Sequence, residues 1–580
     1  MTQKIKVMKN RIKIYLLIIL TLSIFNNCQK DWLEVTPYGI YSGSEYVKDD
    51  ASALQLLNGV YANFLGRDMN WPYWVVGDCM SDDAEAGGEG THNDTPEFQE
   101  YTEFRSSTAG AQMENFWRYS YSGIYRANAT ISILEDLELP EEDLSTELKD
   151  RLIAEAKFLK TKFHFNLLKI FGPIPYIPEL FADVGEYRNI PRTPIAEILH
   201  NIQDDLTDIY DILPGRFSSS FDYKYESAAD NGRPGKDAAR AFLIKMLVFE
   251  SSYNELAENG KDPNNLYEGC ENKWDQVRQL ADDMIENEDL YGVGLEPDWA
   301  SLWRVAGENS DEIIWKLNHS ATERIGANLP GNSTTDEYWN VATDDVMLQT
   351  FRDGIMLYDS SDLADYGWGW NCPTQYFVDM FDRDDPRFKL TVIEDGDTVE
   401  VVRSTEEPDL FKRLAIALPS SESPTGMNHR KCERNRYEYN GTRAENGPLD
   451  TKVIRYADVL LWAAEAHLKP GGDPSKALEY VNRIRERARN ITSPPSAVPA
   501  DLTSITLEQL YNERRRELAF EAHRFFDLVR WGIAAEKLDG MQVRGGDYTI
   551  SFVEGVHEYL PIPELAITES DGLIYQNNGY

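Results

Sequence analysis

Residues 151–175 read RLIAEAKFLKTKFHFNLLKIFGPIP, and no other stretch constrains the fold as much. Leu152, Ala156, Leu159, Phe163, Leu167 and Ile170 recur at steps of three and four, which lays one apolar stripe along a helix. The stripe stops at Gly172-Pro173, where glycine accepts the turn out of the helix and proline cannot continue it. A stripe this long must lie against a large apolar partner. Similar but less regular spacing over 51–65, 114–137, 195–212 and 236–253 supplies that partner in other helices. The chain has 580 residues, enough to bury a large core as one domain or as interlocked ones.

From about 255 to 450 the texture changes to Gly, Pro, Asn, Asp and Ser clusters, with short β-type runs such as DEIIWKL and FKLTVI. This stretch reads as a loop-rich insertion. Helical spacing returns in YADVLLWAAEAHLKPGGDPSKALEYVNRIRERA, where a Pro-Gly-Gly turn separates two apolar segments. Asp473 can cap the second with Pro474 at its first position, and Ala477, Val481, Ile484 and Ala488 line one face. Small residues on the inner faces of a helical hairpin are how tetratricopeptide-type repeats pack. The fold class is therefore mostly α, with tetratricopeptide-like helix pairs, a loop-rich insertion and minor short strands.

The first 27 residues carry five lysines and arginines and no acid, followed within the segment by the uncharged run IYLLIILTLSIF. That run is shorter than the roughly 20 residues a spanning helix needs, so it reads as a secretion signal. Cys28 follows it where a lipoprotein signal places its acylated cysteine. Cys79, Cys270, Cys372 and Cys432 are widely spaced without a C-x-x-C pair, so they read as isolated buried thiols. The formal charge of −40 repels a phosphate backbone and excludes nucleic acid as the natural partner.

Chemistry is hard to find. The eight histidines are scattered, and zincin, nucleophile-elbow and P-loop motifs are missing. Asp82/Asp83, Asp384/Asp385 and Asp395/Asp397 could be glycosidase carboxylates, but 98 acids produce such pairs by chance. They read as solvated turns. No metal or cofactor is assigned; a structural calcium is compatible with the acidic turns, though none has an EF-hand pattern. The most charged stretch is NERRRELAFEAHRFFDLVRWG, residues 512–532. Thr506 and Gln509 form a capping box and Gly532 a stop, which predicts one helix over 507–531. Leu507, Tyr511, Leu518, Ala522, Phe525 and Val529 would form its apolar face. Glu513/Arg516, Arg514/Glu517, Glu521/Arg524, Arg524/Asp527 and Asp527/Arg530 stand three apart, where opposite charges meet on a helix surface. The stretch reads as a docking helix and not as an active site.

ERRRELAFEAHRFFDLVRWG, with YLPIPELAITES and the terminal QNNGY, resembles the C-terminal signature of the SusD/RagB family of outer-membrane nutrient-binding lipoproteins. IRYADVLLWAAEAHL, AEAKFLKTKFHFNLLKIFGPIP, GWGWNCPTQYFVDMFDRDDPR and CQKDWLEVTP resemble other blocks of that family, in the expected order. The resemblance implies a lipid-anchored, non-catalytic surface protein. It would capture an oligosaccharide, or in the RagB branch a peptide, and deliver it to a SusC-like TonB-dependent transporter. It also implies four tetratricopeptide-like helix pairs facing the transporter and irregular loops facing the ligand. The implied layout is a signal at 1–27, an N-terminal half at 28–254, and a C-terminal half at 255–580 that includes the 255–450 insertion.

Glycan capture needs exposed aromatic platforms, because sugar rings present C–H faces, with flanking polar groups for the hydroxyls. NWPYWVVGD offers Trp71, Tyr73 and Trp74 beside Asn70 and Asp78, and ERIGANLPGNSTTDEYWN offers Tyr338 and Trp339 beside Arg324, Asn328 and Asn332. Trp368 and Trp370 rank lower, since their block doubles as a fold element. The competing reading places these aromatics in the core, where tryptophan is buried on average. Trp299 and Trp303, at helical spacing, read as packing residues. Two other functions stay open at this stage: peptide or glycopeptide capture on the same fold, and a surface glycosidase.

Overall fold

Asp50–Tyr61 (α1), Arg67–Trp74 (α2), Pro96–Thr102 (α3), Ala111–Glu135 (α4) and Thr146–Phe171 (α5) lead into Ile195–Ile209 (α6) and Lys236–Glu258 (α7). The computed structural model describes residues 46–64, 67–87, 96–182, 184–215, 232–318, 370–402, 411–415, 423–431, 449–570 and 572–580. Within it, Asp49–Tyr580 forms one compact unit. Ser145 caps α5 by accepting from the Leu148 amide (3.2 Å), and all six residues of the predicted stripe are buried. The burial extends further than the stripe.

From Phe158 to Phe171 every residue of α5 is buried, because α1, α4 and α6 all pack against it. The polar residues on its other faces are satisfied internally. Lys160 pairs with Asp205 (3.0 Å), Lys162 donates to Asn166 (2.7 Å), and His164 Nε2 accepts from the Ile177 amide (3.2 Å). Burial pushes the His164 imidazole down to about 3, so it stays neutral. Gly172 then ends the helix at φ +74, a conformation that favours glycine, and a Cβ there would press on the Tyr559 ring at 3.2 Å.

In the second half, Trp274–Glu286 (α8) packs between α7 and Tyr456–Leu468 (α9), which makes a hairpin with Pro474–Arg489 (α10). The hairpin follows its sequence closely. Asp473 accepts from the Ser475 amide (2.9 Å), Pro474 sits in the first turn, and Ala477, Val481, Ile484 and Ala488 are buried. By contrast, α8 lies inside the stretch read as loop-rich, and FKLTVI divides into a helical turn ending at Thr391 and a strand from Val392. The fold is mostly α-helical, with each long helix packed on the next.

One expectation fails in an informative way. The segment 507–531 is two helices, Leu507–Glu517 (α11) and Arg524–Arg530 (α12), although the Thr506–Gln509 capping box is present. Between them Phe520 and Ala522 both adopt φ +58, which a continuous helix forbids. The break has a steric partner: a Cβ on Gly77 would lie 2.5 Å from the Ala522 backbone, so only glycine lets the two segments touch.

Strands are short, and among the described residues they pair in twos. Ala84–Ala86 (β1) pairs antiparallel with Asn371–Pro373, Ile313–Leu317 (β2) with Thr451–Arg455, and Val392–Glu394 with Met427–His429. Asn371–Pro373 is β3 hereafter. Gln542–Val543 and Tyr548–Thr549 form a hairpin around the turn Arg544–Gly546. No helix among the described residues is long and apolar enough to cross a membrane. Cys79, Cys270 and Cys372 are buried, as read; Cys28 and Cys432 lie outside the described residues.

Candidate functional site

Helical phase decides the fate of NWPYWVVGD. Trp71 and Trp74 lie three apart on α2, so both turn to the same side, and that side faces the core: they are 6% and 3% exposed. Trp71 packs edge-on against Phe98 (5.9 Å) and Trp370 (5.1 Å), and Trp74 against Phe98 (5.7 Å). Trp370 is itself buried. Neither Trp71, Trp74 nor Trp370 is a platform for sugar; together they form one aromatic core cluster, which is the competing reading of the sequence. Tyr73 is half-buried beneath the Lys169 ammonium (4.3 Å to its ring), and its hydroxyl accepts from the same group (3.2 Å). Asn70 belongs to α2. Arg324, Asn328, Asn332, Tyr338, Trp339 and Trp368 lie outside the described residues.

Asp78, expected to meet ligand hydroxyls, instead holds the fold. It is buried and accepts from the Ala522 amide (2.9 Å) and from Asn371 Nδ2 (3.1 Å), tying the helix break of 518–523 to β3. Burial pushes its carboxyl up to about 8, with Asp83 adding to the effect.

The charged stretch is buried as well. Glu513 and Glu517 are fully buried, and of the five predicted pairs three apart only Glu513/Arg516 (3.5 Å) and Asp527/Arg530 (2.8 Å) form. The other charges reach across the fold. Glu517 meets Arg387 (3.3 Å), Arg455 (3.2 Å) and Arg487 (2.6 Å), and Glu521 meets Arg455 and Lys431 (2.7 Å each). Arg514 binds Asp458 (3.2 Å) and Asp527 (2.7 Å), while Arg524 binds Asp82 (2.7 Å). Burial alone would raise the Glu517 carboxyl, but Arg487, Arg455 and Arg387 outweigh it and hold it well below the usual carboxylate range. Asp82 is likewise held at about 2, by Arg515 and Arg524 against burial. Asp82 and Asp83 are thus buried ion-pair partners and not solvated turns, and Asp385 is buried against Arg387 (2.8 Å). Trp299, read as packing, donates from Nε1 to Glu517 (3.0 Å) inside this network.

Exposed chemistry gathers elsewhere, around the β1–β3 pairing. The Gly87 amide donates to the Trp370 carbonyl (2.9 Å), which extends the β1–β3 pairing by one bond. Next to it Glu85 of β1 accepts from the Arg544 amide (2.6 Å), and burial pushes its carboxyl up to about 7. Arg544 Nη1 also reaches Glu103 (3.2 Å), which pairs with Arg105. The Arg105 guanidinium stands 5.7 Å from the centre of the Tyr548 ring, and Tyr376, 48% exposed, accepts from the Gln542 amide (3.3 Å). Arg105 and Arg544 are 41% and 31% exposed at their side chains.

Two features mark this rim as more than ordinary surface. Phe104 (φ +53) and Arg544 (φ +56) are non-glycine residues in the left-handed region, which costs energy and concentrates at functional sites. Arg544 Nε is also buried with no hydrogen-bond partner among the described residues. The rim offers a half-exposed phenol, a second aromatic ring and two guanidiniums, all backed by a fixed carboxylate. Such a set can stack on a sugar face and grip its hydroxyls. Sequence reasoning missed these residues because they come from four separate segments. The signal available was the Gly-Gly pair in QVRGGDYT, a hairpin turn between β-type runs.

A family model described as "SusD family" matches residues 311–580, and one described as "Starch-binding associating with outer membrane" matches residues 31–247. The chain belongs to the SusD family. SusD-like protein P2 of Formosa agariphila is 25% identical over 94% of this chain and 96% of its own length. Among solved structures, a laminarin binding SusD-like protein superposes with a TM-score of 0.69 at 24% identity, covering 92% of this chain and all (100%) of its own. Surface glycan-binding protein A from Bacteroides thetaiotaomicron, in complex with laminarihexaose, gives 0.68 at 19% identity, with 91% and 100% covered. The shared fold is mostly helical.

Proposed function

We propose that this SusD-like protein is a non-catalytic glycan-capture lipoprotein, anchored through Cys28 at the outer membrane, that passes oligosaccharide to a SusC-like TonB-dependent transporter. The observation that carries the reading is the half-exposed set Tyr376, Arg105, Arg544 and Tyr548 beside β1–β3. Arg324, Asn328, Tyr338 and Trp339, which lie outside the described residues, are proposed as glycan contacts from the sequence alone. The names of the family and its neighbours, which mention starch and laminarin, support a carbohydrate ligand. The charge of −40 favours a neutral glycan over a polyuronate or sulfated one. Absence of catalysis is supported by the candidate carboxylates. Asp82, Asp83 and Asp385 are engaged by Arg515, Arg524 and Arg387, and Asp397 by Lys389 (3.2 Å), which leaves no free acid/base pair among them.

Calorimetry of the mature protein against laminarin, starch oligosaccharides and a mixed peptide digest tests the proposal. Binding of a glycan that weakens in Tyr376→Ala and Trp339→Ala, without release of reducing ends, supports it. Binding of peptides alone, or glycan hydrolysis by pure protein, sinks it.

A further inference from the structure

The scattered histidines include one that the fold brings to two carboxylates. His200 lies on α6, Glu250 on α7, and Glu271 on the connection between α7 and α8. Donor atoms of the three residues lie within 4.8 Å of one another, and His200 Nε2 is 2.7 Å from Glu250 Oε1. This cluster has no part in the glycan rim or the ion network.

We propose that His200, Glu250 and Glu271 hold a divalent cation of the zinc class. Glu250 is prepared as a ligand. It is fully buried on a core helix, and its carboxylate is oriented by Gln203 Nε2 (2.7 Å), from outside the cluster, and by the backbone amide of Glu271 (3.0 Å). Hydrogen bonds of this kind fix the carboxylate at metal centres. The other two donors can adapt, since the His200 side chain is 41% exposed and that of Glu271 60%. Tetrahedral zinc with bonds of about 2.0–2.2 Å separates two such ligands by roughly 3.4 Å, so seating the ion needs adjustments of His200 and Glu271 of about an ångström. Charge points the same way. Two carboxylates meet one imidazole, and the nearby Lys273 ammonium pairs with Glu271 and offsets only part of their charge. One imidazole with two carboxylates suits zinc or cobalt better than calcium or magnesium, which take all-oxygen cages. Water would fill the fourth position. Such an ion would pin the 270–273 connection to two helices of the scaffold, so its role is structural.

The test is cobalt(II) and zinc(II) titration of chelator-stripped, full-length mature protein, followed by calorimetry, by the visible absorption of cobalt and by thermal melting. One saturable ion per chain, a tetrahedral cobalt spectrum and a raised Tm are expected. His200→Ala and Glu271→Gln should each weaken affinity at least about tenfold and abolish the Tm rise, while Glu536→Gln, at an exposed acid elsewhere, changes neither. Glu271→Gln lies on an exposed loop, so its metal-free Tm should match the parent and keep the result interpretable. If binding is unsaturable, or equal in all four proteins, the acidic surface alone attracts the metal and the proposal falls.

Discussion

Arginines and carboxylates crowd two places in this fold, around Glu517 and around Glu103, and the two crowds do different work. Around Glu517 three guanidiniums close on one fully buried carboxylate, and every charge is spent on another. Around Glu103 the carboxylate is also buried, but its arginines, Arg105 and Arg544, keep 41% and 31% of their side chains in water. The first arrangement can only hold elements together. The second holds two cations at the surface with hydrogen-bonding capacity to spare. What separates the buried cluster from the proposed recognition cluster is the solvent exposure of the arginines, since the residue types are the same.

The comparison breaks most readily at Glu517. Glu517→Gln should destabilise the fold by about 3–5 kcal/mol, because Arg387, Arg455 and Arg487 then share a buried site without their central counter-charge. A denaturant melt measures it. The wild-type contribution is present above about pH 4.5 and is lost as the pH falls, since the folded carboxyl titrates lower than the unfolded one. Trp71→Ala follows, with a loss of about 3 kcal/mol from an opened core. Glycan affinity of the folded fraction should be unchanged; a large affinity loss at preserved stability would return Trp71 to the ligand site.

Asp78 sharpens the contrast, being buried with neutral donors in place of arginines. Its carboxyl titrates near 8 in the fold against 3.8 as the ordinary value, so the folded chain holds an extra proton between those values and this group's contribution to stability falls as pH rises across them. Asp78→Asn should flatten that fall relative to wild type in melts run from acid to neutral pH. Arg544→Ala should move stability least. It removes a half-exposed side chain, so Tm should shift by no more than a few degrees while glycan affinity drops about tenfold. A large Tm loss with intact affinity would show that the rim is structural too.

Much of the scaffold was legible because helices announce themselves by local period. The stripe of α5, the caps of α10 and α11, and the packing role of Trp299 all follow from neighbours in sequence. The break at 518–523 was not, since its cause is Gly77, from another part of the chain, touching Ala522. The ion pairs were misassigned for the same reason. Spacing of three marks a possible neighbour on one helix, but Arg514 and Arg524 found better partners in Asp458 and Asp82. The aromatic stretch failed as a site because NWPYWVVGD has turn-like composition while Trp71 and Trp74 share a helical face. Composition cannot say which way that face turns.

The pairing beneath the rim also orders events in time. Asn371 and Asp78 lie 293 positions apart, and Arg524 and Asp82 lie 442 apart. Contacts so distant along the chain close loops of about half to three quarters of its length, and the entropy of closing them favours local helix pairs forming first. Helical pairs can assemble early from local contacts, whereas β1–β3 and the surface it supports come last. Glycan binding at the proposed rim would then be an end-point assay of maturation: a chain that binds there has completed these long-range connections.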